Sequence, residues 1–155
     1  MTVGGQRLGS ALVALQFALV ALIAGLAGPA FLRGTAPAIA WGLGLCAVLM
    51  GGWALSANRP GNFNIRPTPR PGGQLVQSGP YRWIRHPMYT AILLAAVAGL
   101  LGADADHRLA VAAAAVALAV VLRVKAEVEE RWMVAHHPAY VDYILTTRRF
   151  VPWLV

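Results

Sequence analysis

The stretch SGPYRWIRHPMYT, residues 78–90, places an arginine, a histidine and a proline side by side, with a tyrosine two residues later. Pro87 is compatible with the first turn of a helix, where its missing N–H costs no hydrogen bond. His86 is then predicted at the N-cap of that helix, and Tyr89 within its first turn. The free N–H groups and partial positive charge of a helix N-terminus favour an anion. With the cation of Arg85 beside it, this helix entrance is suited to a carboxylate ligand.

The aromatic side chains of the same stretch have two explanations. The ring of Tyr81 or Tyr89 can lie against a cation. Trp and Tyr also collect at membrane interfaces, where Arg extends toward the headgroups. We favour the interfacial explanation for Trp83, and a functional role for His86 and Tyr89 because both lie at the helix entrance.

A second charged cluster, RVKAEVEERW, occupies residues 123–132. Residues four apart share one face of a helix, so Lys125 and Glu129 are predicted to lie together. We interpret Glu127 as part of an ordinary surface ion pair. Glu129 and its neighbour Glu130 are predicted to face the histidine entrance across a helical hairpin. Carboxylates and cations that face each other there form a pocket suited to a zwitterion.

The elements that must position these groups are apolar helices. Of the 155 residues, 58% are hydrophobic and 12% are charged, whereas about 25% are charged in an average soluble domain. The composition predicts an all-α integral membrane protein that forms one domain over residues 1–155. We expect about four transmembrane helices, over the apolar stretches 8–32, 36–57, 87–101 and 109–122. The last two are short, and the polar turn GADADH between them predicts a hairpin of helices.

Residues 58–87 separate the two N-terminal helices, within residues 1–57, from this hairpin. Six of these 30 positions are Pro and four are Gly, so most of the segment cannot be regular helix or paired strand. Polar, aromatic and arginine side chains lie among the prolines. Loops held by a rigid scaffold often carry binding groups. We therefore interpret this Pro-rich loop as cytosolic and as part of a site, with a short helix expected near the C-terminus.

The 13 Lys and Arg residues are unevenly distributed if the N-terminus is cytosolic, because only Arg33 and Arg108 then lie outside. By the positive-inside rule this asymmetry predicts that both termini are cytosolic, in a bacterial-type inner or plasma membrane. It also explains the net charge of +7 by topology and by contact with anionic lipid, rather than by nucleic-acid binding. The first apolar stretch is too long for a cleavable signal peptide, and it lacks the basic N-terminal region that precedes the apolar part of such a peptide.

Two residues within the first two apolar stretches differ from their surroundings. Cys46 is the only cysteine, which excludes an internal disulfide and a thiolate metal cluster. We expect it to face lipid or to pack. Gln16 is the only strongly polar residue inside the first stretch. Polar groups in a bilayer usually face other helices, so both packing and function stay open for Gln16.

Four features together resemble the isoprenylcysteine carboxyl methyltransferase family. They are the motif GPYRWIRHPMY, the apolar hairpin after it, the paired EE, and a Y-x-x-Y at Tyr140 and Tyr143. Members of this family are integral membrane methyltransferases related to phospholipid N-methyltransferases. The resemblance covers residues from about 62 to 152. The first two helices resemble those of the family only in being apolar. R-H-P-x-Y combined with EE is specific, whereas either half alone is weak.

The resemblance implies that S-adenosylmethionine binds at the cytosolic side, that the methyl acceptor enters from the bilayer, and that S-adenosylhomocysteine is released. The implied cofactor contacts are Gln74, Leu75, Val76, Tyr81, His86, Pro87, Met88, Tyr89 and Glu129. The predicted catalytic residues are Arg85, His86, Lys125 and Glu130. Lys125 stands where relatives have a basic residue that contacts a substrate carboxylate, and His86 or Glu130 is the candidate base for a protonated amine. No metal is required.

Two other functions stay open. A lipid or sterol reductase resembles this family in its C-terminal helices, but it should need a larger dinucleotide site, and the sequence contains no G-x-G-x-x-G. The other is a non-catalytic membrane protein that retains the fold. The expected partners are a lipophilic substrate and membrane lipids. The methyl acceptor could be a carboxylate, a thiol, an amine or a lipid headgroup, because the apolar side chains expected around it do not identify the reacting group.

Overall fold

The computed structural model describes residues 3–58 and 74–152. These residues form five α-helices and one short 3-10 helix. The α-helices are α1 (Val3–Leu32), α2 (Ala38–Ala57), α3 (Pro87–Gly102), α4 (Ala105–His136) and α5 (Tyr140–Thr146), and the 3-10 helix is Gly79–Arg82. The all-α fold class and the short C-terminal helix are thereby confirmed. Residues 59–73 of the Pro-rich loop lie outside the described part of the chain.

Three of these helices are long and apolar enough to cross a membrane, namely residues 7–32 of α1, all of α2, and α4. The protein is therefore an integral membrane protein. α3 is apolar but has only 16 residues. Its length is about 24 Å at 1.5 Å per residue, less than the roughly 30 Å of a hydrocarbon core. α3 alone is therefore shorter than such a core.

The fourth helix is much longer than the apolar stretch that predicted it. The sequence places the charged cluster 123–132 after this helix, but α4 continues through the cluster to His136. Lys, Arg and Glu are strong helix formers, and pairs four residues apart stabilise the extension. Arg123 Nε donates to Glu127 Oε1 at 2.8 Å, as the spacing predicts. The turn between α3 and α4 is also shorter than GADADH, because α4 begins at Ala105.

The helices pack closely because small residues line their contacts. α3 lies against α1, α2 and α4, and α1 also packs along α4. A Cβ atom placed on Gly99 of α3 would lie 2.7 Å from Cγ2 of Ile23 in α1, so only glycine permits this approach. At the far end of α1, Arg33 Nη2 lies 2.5 Å from Oδ2 of Asp104 in the α3–α4 turn. This ion pair joins the hairpin to the first helix.

α2 presents apolar side chains outward and supports the 3-10 helix at its end. Its exposed side chains include Ile39, Trp41, Leu45, Val48 and Leu49, and Cys46 is also exposed on this helix. Gly79 opens the 3-10 helix with a φ of 57° and lies against Trp53 and Ala57 of α2. The rings of Trp53 and Trp83 are 5.8 Å apart. These contacts set the position from which the chain enters α3.

Candidate active site

The segment that enters α3 is paired with the segment that follows α5, residues 147–152, which we call the C-terminal segment. Ile84 forms an isolated parallel β-bridge with Arg148. The Arg85 N–H donates to the Arg148 carbonyl at 2.7 Å, and the His86 N–H donates to the Arg149 carbonyl at 3.1 Å. The pairing of these two segments was not predicted from the sequence. It brings residues that follow α5 directly against the R-H-P motif.

His86 lies at the N-cap of α3 and Pro87 at its first position, as predicted. The imidazole makes no side-chain cap hydrogen bond and is directed instead toward the two glutamates of α4. Its Nε2 is 3.1 Å from Glu130 Oε1 and its Nδ1 is 3.7 Å from Glu129 Oε2. The side chain is 6% exposed. A buried imidazole thus lies between two carboxylates.

Glu130 is the centre of a buried ion-pair network. Arg85 Nε donates to its Oε1 at 2.9 Å, and Arg149 donates to both oxygens, from Nε at 3.2 Å and from Nη2 at 2.6 Å. Arg85 Nη1 also donates to the Thr147 carbonyl at 2.6 Å. The Glu130 side chain is 9% exposed. Two guanidinium groups therefore neutralise this carboxylate and occupy its oxygens.

Glu129 has a different environment, although it is the next residue. It accepts a hydrogen bond from the Tyr89 hydroxyl at 3.1 Å, and its side chain is 33% exposed. Burial, and secondarily the charge of Glu129, raise the pKa of Tyr81 to about 12, so that phenol stays protonated at physiological pH. Glu129 is thus an accessible carboxylate bordered by neutral phenols. An accessible anion beside aromatic rings is suited to a cation.

Lys125 lies one turn of α4 before Glu129 and is directed into the helix bundle. It is 1% exposed, and its Nζ donates to Oε1 of Gln16 in α1. The same Nζ lies over the Tyr89 ring, 5.1 Å from its centroid. His86 stacks on Tyr89 with ring centroids 5.2 Å apart and planes 3° apart. Tyr89 thus contacts His86, Lys125 and Glu129.

The remaining predicted residues lie ahead of this cluster or at its edge. Pro87 is buried and Met88 is half-buried at the start of α3. Gln74 is exposed, and Leu75 and Val76 are half-buried, in the non-helical segment that leads to the 3-10 helix. The Tyr81 carbonyl accepts a hydrogen bond from the Tyr143 hydroxyl at 2.6 Å, which connects the Y-x-x-Y motif in α5 with the first motif.

Sequence reasoning missed several residues of this site. Arg149 was assigned only to membrane topology, and nothing in its local pattern indicated a partner 19 positions earlier. Thr90, whose hydroxyl donates to the Phe150 carbonyl at 2.7 Å, was not singled out either. Gln16 did carry a signal, since it is the only strongly polar residue in the apolar stretch 8–32. Its partner Lys125 could not be identified, because the two are 109 positions apart.

The isoprenylcysteine carboxyl methyltransferase family matches residues 40–135, well over half of the 155-residue chain. The chain belongs to this family. The matched region contains the R-H-P motif and the adjacent Glu129 and Glu130 of α4, but it excludes Gln16 and Arg149. These two residues therefore belong to parts of the site that the family match does not describe.

One curated relative is the cobalt-zinc-cadmium resistance protein CzcN of Cupriavidus metallidurans. It is 36% identical over 87 residues, which are 55% of this chain and 38% of the relative. The chain therefore spans well under half of the length of that relative. No solved structure matches the chain.

Proposed function

We propose that this protein transfers the methyl group of S-adenosylmethionine to a lipophilic acceptor that reaches the site from the bilayer. The proposal rests on membership of the isoprenylcysteine carboxyl methyltransferase family and on one observation within the site. Of the two adjacent carboxylates, Glu130 is neutralised by two guanidinium groups, whereas Glu129 is accessible and bordered by phenols. This leaves one negative charge available for a cationic ligand.

The residues present are compatible with the parts of this cofactor. Glu129, which accepts from the Tyr89 hydroxyl, would hold its ammonium group, and the ring of Tyr81 would lie against positive charge. The N–H groups at the start of α3, next to His86, would hold the carboxylate. Leu75 and Val76, half-buried ahead of the motif, would contact the adenosine. Gln74, Pro87 and Met88 would also contact the cofactor, as the family resemblance implies.

When bound, S-adenosylmethionine supplies an electrophilic methyl group on a sulfonium. The task of the protein is then to align the acceptor with that methyl group and to exclude water, since charges neutralise during transfer to an anion. An acceptor that carries a proton also needs a base. His86 is better suited to that role than Glu130, whose oxygens already accept from Arg85 and Arg149. We assign Glu130 and Arg85 to the positioning of His86.

We further propose that the site faces the cytosol. The charged end of α4 and the C-terminal segment lie together at one end of the helix bundle, where they contact the R-H-P motif. In this orientation only two of the 13 Lys and Arg residues, Arg33 and Arg108, lie on the outer side. Both termini would then be cytosolic, in a bacterial-type inner membrane.

The proposal is tested by calorimetric titration of the detergent-solubilised protein with S-adenosylmethionine, and with NADPH for comparison. We expect binding of the first only, and Glu129→Gln should weaken it by about 1.5–3 kcal/mol, the scale of a hydrogen bond to a charged group. Glu127→Gln is the matched control, because it makes the same change two residues earlier at an exposed pair. Binding of NADPH alone would favour a reductase.

Catalysis and the identity of the acceptor need a separate experiment. Membranes that contain the protein are supplied with S-adenosylmethionine labelled in its methyl group, together with total lipid and small prenyl thiols, and the labelled product is identified. We expect labelled lipophilic product from the wild type and little from Glu129→Gln. Cofactor binding without transfer to any lipophilic compound would contradict the proposed activity.

A further inference from the structure

Gln16 is the strongly polar side chain of the apolar stretch 8–32 of α1, and it is buried rather than directed outward. It is 5% exposed, whereas the next residue, Phe17, is 53% exposed. Its amide oxygen accepts from Lys125, a residue of α4 that is itself 1% exposed. Polar groups at membrane depth are costly and usually face a functional interior. A neutral amide and an ammonium group thus form a contact inside the helix bundle.

The ammonium group connects this contact to the candidate active site. It lies over the ring of Tyr89 at 5.1 Å from the centroid, and a desolvated cation over an aromatic ring is an attractive arrangement. The hydroxyl of the same tyrosine donates to Glu129 at 3.1 Å. Lys125 and Glu129 of α4 therefore both contact Tyr89 of α3, and Gln16 of α1 is connected to Tyr89 through Lys125.

We propose that Gln16 and Lys125 are a positioning pair that holds Tyr89 against Glu129, so that α1 takes part in shaping the cofactor site. The inference rests on the proposed function, because it names the site that Tyr89 and Glu129 form. It differs from the role that the resemblance implies for Lys125, which is contact with a substrate carboxylate. A positioning residue should affect cofactor affinity, whereas an acceptor ligand should affect the KM of the acceptor.

The test compares purified wild type with Gln16→Leu and with the double variant Gln16→Leu/Lys125→Met. Replacing both partners of a buried polar contact by apolar groups of similar size is close to neutral for stability. The double variant therefore separates an effect on stability from an effect on the position of Tyr89. If Gln16→Leu alone does not fold, the double variant is compared with the wild type by itself. Phe17→Leu is the matched control, since it changes the neighbouring outward-facing residue of the same helix.

We expect the double variant to melt near the wild-type temperature but to bind S-adenosylmethionine about tenfold more weakly, the scale of a desolvated cation–π contact. Wild-type affinity in a stable double variant would overturn the inference and leave the pair as packing alone. A higher acceptor KM at unchanged cofactor affinity would overturn it in favour of the acceptor-ligand role.

A measurement without cofactor separates this inference from the proposed function. In protein labelled with 13C at the tyrosine Cζ, the Tyr89 resonance is identified by its loss in Tyr89→Phe. We expect this resonance to shift in the double variant and to stay unchanged in Phe17→Leu. If the wild type fails to bind S-adenosylmethionine, the proposed function fails, whereas an unmoved resonance shows that the pair does not position Tyr89.

Discussion

Among the described contacts, Glu130 is the carboxylate that binds side chains of both the R-H-P motif and the C-terminal segment. Replacing Glu130 by Gln removes its negative charge. The carboxylate receives four contacts of 2.6 to 3.2 Å, one each from Arg85 and His86 and two from Arg149. Glutamine keeps the shape of the side chain but removes the buried anion of both guanidinium groups, and Arg149 keeps only a longer contact of 3.7 Å with Glu127 among the described ion pairs. The C-terminal segment is expected to separate from the start of α3 more often.

The size of the effect follows from this geometry. Hydrogen bonds to charged groups contribute about 1.5–3 kcal/mol each but do not add simply. Removing one partner of a buried ion pair typically costs about 3–5 kcal/mol, and Glu130 with its 9% exposed side chain is such a partner. We expect a loss of about 3 kcal/mol or more, which corresponds to a factor of about 100 in the opening equilibrium.

Hydrogen exchange of the purified protein measures this opening directly. The N–H groups of Arg85, His86 and Arg148 are bonded between the two segments, and we expect them to exchange about 100-fold faster in Glu130→Gln. The matched control Glu127→Gln changes a carboxylate that is 37% exposed and lies 3.7 Å from Arg149 Nη1, and it should raise the exchange far less than Glu130→Gln does. Equal exchange in Glu130→Gln and wild type would refute the idea that this carboxylate holds the C-terminal segment.

Two further predictions concern the membrane-embedded part. Gly99→Leu should lower the melting temperature in detergent, because even a Cβ would lie 2.7 Å from Ile23 and overpacking costs about 1–3 kcal/mol; the control Val97→Leu, at an exposed position of α3, should melt as the wild type does. A reporter fused after Val155 should be active only if it functions in the cytosol, and activity only on the outer side would reverse the proposed topology.

Several features of this protein could be predicted because their causes are local. Composition alone indicated apolar helices, and the ring of Pro87 placed His86 at the N-cap of α3. The ion pair of Arg123 with Glu127 follows from helical spacing. The end of α4 was predicted too early, because the helix continues through charged residues after the apolar stretch ends. Hydropathy marks the limit of apolar residues and not the limit of a helix.

The different surroundings of the two adjacent glutamates were decided by tertiary structure. Neighbouring residues on a helix point about 100° apart, so Glu129 faces Tyr89 while Glu130 faces the guanidinium groups. The sequence shows two equal carboxylates, and which one stays accessible depends on where α3 and the C-terminal segment pack. The contact of Gln16 with Lys125 joins residues 109 positions apart. Such contacts depend on how helices pack across the whole chain, which no local pattern specifies.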